Sequence, residues 1–243
     1  MFLHLAKHTE IELNMRKCFS SPKDMELVAY AIGLNPLSES KIRSIDLSKN
    51  TITKEGAKLL APSLENNKFL ITLDLSHTKI GVSGMMHLAE SLLKNNTLKH
   101  LNLYRNIIDV DGARSLGSLL KVNTSLEFID VGHNRIRKTG LTAICDGILA
   151  NPDSKLTQLG IRSNFINDDG FTYLFEKLVS GDKKQLNQLF IKQNFLSEYH
   201  KINLAKLLDD KGIVAYVDDF CTVDYLVKQK LDRTVWVSPM PKA

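Results

Sequence analysis

One pattern recurs six times in this chain and leaves few folds open to it. An aliphatic residue, two others, aliphatic-x-aliphatic, two others, a polar residue, one other and a final aliphatic form each copy. The first is Ile42, Ile45, Leu47, Asn50, Ile52, and the second Leu70, Leu73, Leu75, Thr78, Ile80. Leu98, Leu101, Leu103, Asn106, Ile108 and Leu126, Ile129, Val131, Asn134, Ile136 follow. The last two are Leu156, Leu159, Ile161, Asn164, Ile166 and Leu186, Leu189, Ile191, Asn194, Leu196. Positions 50, 78, 106, 134, 164 and 194 are separated by 28, 28, 28, 30 and 30 residues. No single unit of that length can bury its own apolar face, so the units must stack and share one core.

Each position has a physical reason. The aliphatic-x-aliphatic alternation has period two, so alternate side chains enter the core and those between them face solvent. The chain must then turn sharply, and a buried Asn supplies amide donors and a carbonyl acceptor to the backbone groups that the turn frees. Thr78 replaces it once, and its hydroxyl predicts a looser second turn. Six residues after that column stand Gly56, Gly84, Gly112, Gly140 and Gly170, where a small residue lets a helix start pack on its neighbour. His200 breaks the column and marks the array's end. Helical spacing follows, as in residues 112–120, and Pro62 is expected to kink or shorten the first such helix.

The six copies are similar to the leucine-rich repeat family, and a period with room for a full helix resembles its ribonuclease-inhibitor-like subgroup. That resemblance implies an α/β solenoid, a horseshoe with a parallel concave sheet and convex helices. Residues 41–208 hold the six repeats. Residues 1–40 are expected to cap the N-terminal end, with a strand near Ile11–Leu13 and an amphipathic helix from Asp24 to Leu34. Residues 209–232 form the opposite cap, with a strand at Ile213–Val217 and a helix from Asp224 to Leu231. Residues 233–243 are a tail containing Trp236.

Chemistry is hard to find. No phosphate-binding loop, dinucleotide fingerprint, His-Glu-x-x-His or Cys-x-x-Cys occurs, so no enzymatic activity and no cofactor or metal are expected. Cys18, Cys145 and Cys221 are isolated, which excludes a disulfide scaffold and suits a reducing, cytoplasmic setting. Cys145 falls on a core position of a repeat helix. His77 and His133 share a column two repeats apart, roughly 10 Å at about 4.8 Å per strand, too far to share a metal. Asp46, Asp74 and Asp130 share another column, which a glycosidase could use as a carboxylate pair. An open sheet gives no cleft that excludes water, so solvated residues of the repeat are the expectation. Asn95-Asn-Thr97 and Asn123-Thr-Ser125 match the glycosylation pattern but fall where the chain turns into the next strand. No membrane span or secretory segment is expected.

The outward strand positions carry the functional expectation. In the first two repeats they are small or acidic: Ser44, Asp46, Ser48, Thr72, Asp74, Ser76. From the third they change to His100, Asn102, Tyr104, then Phe128, Asp130, Gly132, then Gln158, Gly160, Arg162, then Gln188, Phe190, Lys192. Arg105 and His133 adjoin them on loops. Phe128 and Phe190 are expected to point at water, and aromatic residues with Arg are the composition of interface hot spots. Tyr104, Arg105, Phe128, His133, Arg162, Phe190, Lys192 and Trp236 are therefore the candidate protein-binding residues. The family resemblance implies protein recognition, as a scaffold or adaptor that is monomeric outside its assembly. Ran GTPase-activating proteins use the same repeat subtype but carry an acidic tail, whereas this chain has no acid after Asp232. Residues 235–241 resemble the first strand of an RNA-recognition motif, but a net charge of +5 and no second aromatic strand argue against nucleic acid.

Overall fold

The computed structural model describes residues 11–33, 42–179, 186–201, 212 and 214–216. Eight strands form one parallel sheet in sequence order: β1 (Ile11–Asn14), β2 (Ile42–Asp46), β3 (Thr72–Asp74), β4 (His100–Asn102), β5 (Phe128–Asp130), β6 (Gln158–Gly160), β7 (Gln188–Phe190) and β8 (Val214–Tyr216). Helix α1 (Met25–Gly33) follows β1 after a short 3-10 turn at Pro22–Asp24 that Ser21 caps. Then come α2 (Thr53–Asn66), α3 (Gly81–Leu92), α4 (Val110–Leu120), α5 (Arg137–Ala150) and α6 (Asp168–Leu174). A π-helical turn, Phe175–Val179, extends α6. This is the expected solenoid, with its concave sheet and a helix behind each of the first five repeats. The expected closing helix at 224–231 and Trp236 lie outside the described residues.

The aliphatic columns form one continuous core, from Met25 on α1 to Ala215 on β8. From β2 onward register is uniform: Leu73 pairs with Ile45 and Leu101, and Ile129 with Leu101 and Leu159. Burial of these side chains, at about 1.5–3 kcal/mol each, is what makes the units cohere. Cys145 belongs to that core, and burial pushes its thiol well above the ordinary range.

The Asn column acts between repeats as much as within them. Asn134 Nδ2 donates to Val131 O (2.9 Å) and to Leu103 O (3.1 Å) on the preceding repeat, while its Oδ1 accepts from Asn106 N and Ile108 N, both 2.9 Å. Asn106 and Asn194 repeat the arrangement on their preceding neighbours. Thr78 does not loosen its turn. Its hydroxyl lies 2.6 Å from Leu75 O and 2.9 Å from Asn106 Oδ1, and His77 has the same left-handed φ, 58°, as Lys49. A second ladder runs along the opposite edge, where Asn67, Asn95, Asn123 and Asn151 are all buried. Asn95 Nδ2 donates to Leu64 O and Asn67 O while its Oδ1 accepts from Thr97 N and Leu98 N. Asn95 and Asn123 are thus turn residues, as expected, and their amides are sealed from modification.

Two other expectations change. Pro62 does not shorten α2, which runs 14 residues, as long as α5. The glycine column makes room first for its own repeat: a Cβ at Gly84 would lie 2.4 Å from Ile80 Cγ2 and 3.2 Å from Ala57 Cβ on the preceding helix. The glycines answer the β-branched residue four positions earlier and only then the neighbour. Closest helix contact occurs elsewhere, where a Cβ on Gly147 would meet Gly117 O at 2.1 Å.

Candidate protein-binding face

The concave face is assembled from three outward columns and the loop that follows them. In the middle column Asp46, Asp74, Asn102 and Asp130 each accept the backbone N–H two residues ahead, at 2.8, 2.7, 3.0 and 2.7 Å. That local bond captures a donor where the strand ends. The aligned carboxylates therefore hold the strand ends in shape. Burial, with the Asp46 charge adding to it, raises the Asp74 carboxyl, which also accepts from Asn102 Nδ2 at 3.0 Å.

The residue after the outer column, from Lys49 and His77 through Arg105, His133 and Ser163 to Gln193, has φ between 51° and 58°. Non-glycine residues rarely adopt this region. Here it aims each N–H at the next repeat: His77 N to Tyr104 O at 2.8 Å, Arg105 N to Gly132 O at 2.9 Å, His133 N to Arg162 O at 2.7 Å. The turn thus locks adjacent repeats while displaying its side chain at the mouth of the concave face.

Three candidate residues come together here. Arg162 reaches across Gly132 to stack over Tyr104, with its guanidinium carbon 4.5 Å from the ring centre, and binds Asp130 Oδ2 through Nη2 at 2.9 Å. The two glycines make this possible. A Cβ on Gly132 would lie 2.7 Å from Arg162 Cγ and 2.9 Å from Tyr104 Cδ2, and one on Gly160 would lie 2.6 Å from Asp130 Oδ1. Asp130 is therefore not the solvated residue that its column suggests. It is 7% exposed, and burial raises its carboxyl above the usual range although the Arg162 charge works the other way. His77 and His133 flank Tyr104, with ring centres 5.4 and 5.6 Å away. Burial first, then the Arg105 charge, holds both imidazoles below their ordinary value, which keeps them neutral near pH 7.

The other candidates lie around this cluster. Phe128 is half-buried, not directed straight at water, with its ring edge against His100 at 6.3 Å. Phe190 and Lys192 are half-buried two repeats beyond Phe128, and Arg105 is exposed on the loop. Trp236 lies outside the described residues. Among those residues no group of three or more His, Cys, Asp or Glu converges as a metal site would require.

A further set of residues escapes the strand-alternation argument because it lies one position beyond the Asn column, already past the strand. Ile107, Phe165 and Phe195 are 51%, 52% and 64% exposed. Phe165 and Phe195 pack at 5.8 Å, and an open pocket of about 480 Å³ is lined by Arg135, Arg137, Phe165 and Phe195. A second, of about 290 Å³, adds Arg105, Ile107 and His133. The signal was present as positions 107, 165 and 195 of the repeat register, apolar where a polar turn residue suffices at Lys79.

Four segments of the chain, residues 39–61, 66–89, 94–117 and 122–145, match the family described as Leucine Rich repeat. None of the curated proteins compared matches the chain. No helix among the described residues is long and apolar enough to cross a membrane. The four tandem matches lie on a parallel sheet in which each strand pairs with the next in sequence, the fold of a leucine-rich repeat solenoid.

Proposed function

We propose that this chain is a non-enzymatic scaffold or adaptor subunit of the ribonuclease-inhibitor-like kind, binding a protein through the second half of its concave face and the adjoining loops. Leucine-rich repeats are generally protein–protein interaction modules and typically lack catalysis of their own. One observation carries the reading to this face. Between the second and third repeats the core and register stay the same, while the outward residues change from Ser, Thr and Asp to His100, Tyr104, Phe128 and Arg162. Stability does not require that change, because the first two repeats fold without it. Fixed aromatic rings and a guanidinium held in place by Asp130 present contact area at small entropic cost on binding.

Tyr104, Arg105, Phe128, His133, Arg162, Phe190 and Lys192 are the contact residues of this reading, with Trp236 in the tail as a further attachment point. The free thiols of Cys18 and Cys145 support a cytoplasmic setting, and the chain is monomeric until it meets its assembly. A photo-crosslinking residue at position 128, compared with one at Arg114 on the exposed side of α4, tests the face in the native source. Crosslinks to one protein from position 128 alone are expected; crosslinks from position 114 alone would overturn the assignment.

A further inference from the structure

We propose that the loop edge where strands pass into helices carries its own docking groove, built by Arg105, Arg135 and Arg137 with Ile107, Phe165 and Phe195, and that its occupant is an acidic peptide segment bearing large apolar side chains. The proposal rests on the reading of the chain as a protein-binding module and names a second surface, which adjoins the concave face at Arg105, and the chemistry that it selects.

The apolar half of the groove is unexplained by folding. Ile107 and Phe165 have φ of 61° and 59°, in the left-handed region that disfavours a β-branched or bulky residue. Lys79 occupies the same column at φ 58°, so a long polar side chain serves the fold there. Ile107, Phe165 and Phe195 thus combine backbone strain or exposure with no share in the core. Strained and exposed positions of this kind cluster at ligand sites. Other large exposed apolar residues, such as Leu27 on α1 and Met86 on α3, lie on the helices, whereas these three share one turn column, which runs Ile107, Arg135, Phe165 and Phe195 along one edge.

The charged half has a direction. Arg114 pairs with Asp111, Lys138 with Asp169, Lys99 with Glu127 and Arg162 with Asp130. Among the described residues, Arg105, Arg135 and Arg137 have no such partner. Three uncommitted guanidinium groups beside an apolar floor complement carboxylates flanking an apolar anchor, and a carboxylate suits their fork geometry. From the repeat of Ile107 to that of Phe195 is three strand steps, roughly 14 Å, which an extended peptide spans in about four or five residues. A single-stranded nucleic acid is the poorer fit: an aliphatic Ile107 offers no ring for a base to stack on, and Asp46 and Asp74 sit on the same sheet.

Selection of random 12-residue peptides displayed on phage against the full chain tests this directly, with Arg135→Glu/Arg137→Glu as the counter-target. The selected sequences should pair Asp or Glu with Phe, Trp or Leu. A synthetic copy should lose at least about tenfold in affinity on Arg135→Glu/Arg137→Glu and again on Phe165→Ser, with Phe128→Ala indistinguishable from the parent. Thermal melts of Arg135→Glu/Arg137→Glu and of Phe165→Ser should match the parent's, since these altered side chains are exposed. Peptides without acidic enrichment would overturn the groove, as would an oligouridine that binds the edge more tightly than any peptide. Peptides that fail on Phe128→Ala but tolerate the charge reversal would discard the groove and leave the concave-face reading intact. Peptides indifferent to all of these changes would remove both.

Discussion

The first two repeats and the next three are built on the same frame and finished differently. Leu73 and Ile129 occupy equivalent core sites, both buried, in the same register on their neighbours. At the outer column, Ser48 and Ser76 in the first half are replaced by Tyr104, Gly132 and Arg162 in the second. Side chains in the first half reach no further than the adjacent repeat, Thr72 to His100 and Asp74 to Asn102. In the second half a missing side chain at Gly132 lets two repeats that are not adjacent touch. The columns that fix the solenoid are the same in both halves, so its outward residues can differ along the array while the frame stays unchanged.

The largest expected effect removes the contact that distinguishes the halves. Arg162→Ala leaves the Asp130 carboxylate buried without its guanidinium, and stability should fall by about 3 kcal/mol, read by urea unfolding near pH 7. Asp130→Asn in the same chain should restore part of it. An unchanged midpoint for Arg162→Ala would make the two halves energetically alike.

Gly132→Ser tests the same boundary from the other side, by giving the second half the residue that the first half uses. The added side chain must displace Arg162 or Tyr104, and a loss of roughly 1–3 kcal/mol is expected. Ser76→Gly, its converse, should cost well under about 1 kcal/mol. Equal effects would show that the repeats are interchangeable at this column.

The Asn ladder gives a smaller and two-signed contrast. Asn134→Ala leaves buried backbone groups of two repeats without partners, at roughly 1–3 kcal/mol. Thr78→Asn in the first half should stabilise by about 1 kcal/mol, because its carbonyl could accept from Asn50 N and Ile52 N as Asn106 does from Thr78 N and Ile80 N. Calorimetric melting of both variants reads the two signs, and a destabilised Thr78→Asn would mean that the second turn is already optimal.

The smallest effect is pH dependence. His77, His100 and His133 have folded values below the ordinary 6.5, so the unfolded chain takes up protons first as pH falls. Stability should therefore decrease from pH 7.5 toward pH 5.5. Asp74 and Asp130, with raised carboxyls, act in the opposite sense, because the folded chain takes up their protons before the unfolded one does. Replacing the three histidines by Gln should flatten the decrease; a slope that survives would place its origin elsewhere.

Much of this was legible in the residues, and the reason is periodicity. A column such as Leu73 or Asn106 declares its role through spacing alone, because the structure reuses one environment at each step. Departures from the column were legible only as differences. Gly132 is visible as a missing Ser, yet the bridge from Arg162 to Tyr104 that it permits depends on side-chain reach across a whole repeat. Asp130 shows the limit most clearly: its column implies solvent, and only the arginine from the next repeat buries it. Ile107, Phe165 and Phe195 stand in register but outside the alternating strand, where spacing no longer tells which side chains point together.

The central claim is that the finish of the second half, and not the shared frame, recognises the partner. Its most direct test converts that half to the first: Tyr104→Ser with Phe128→Thr, the residues found at positions 76 and 72. Affinity of the protein crosslinked from position 128 would be measured by calorimetric titration for this variant and for Arg114→Ala/Lys121→Ala on α4 and its C-cap. The account predicts a loss of at least about tenfold for the first variant, still folded by circular dichroism, and none for the second. Undiminished affinity of the first with loss in the second would contradict it.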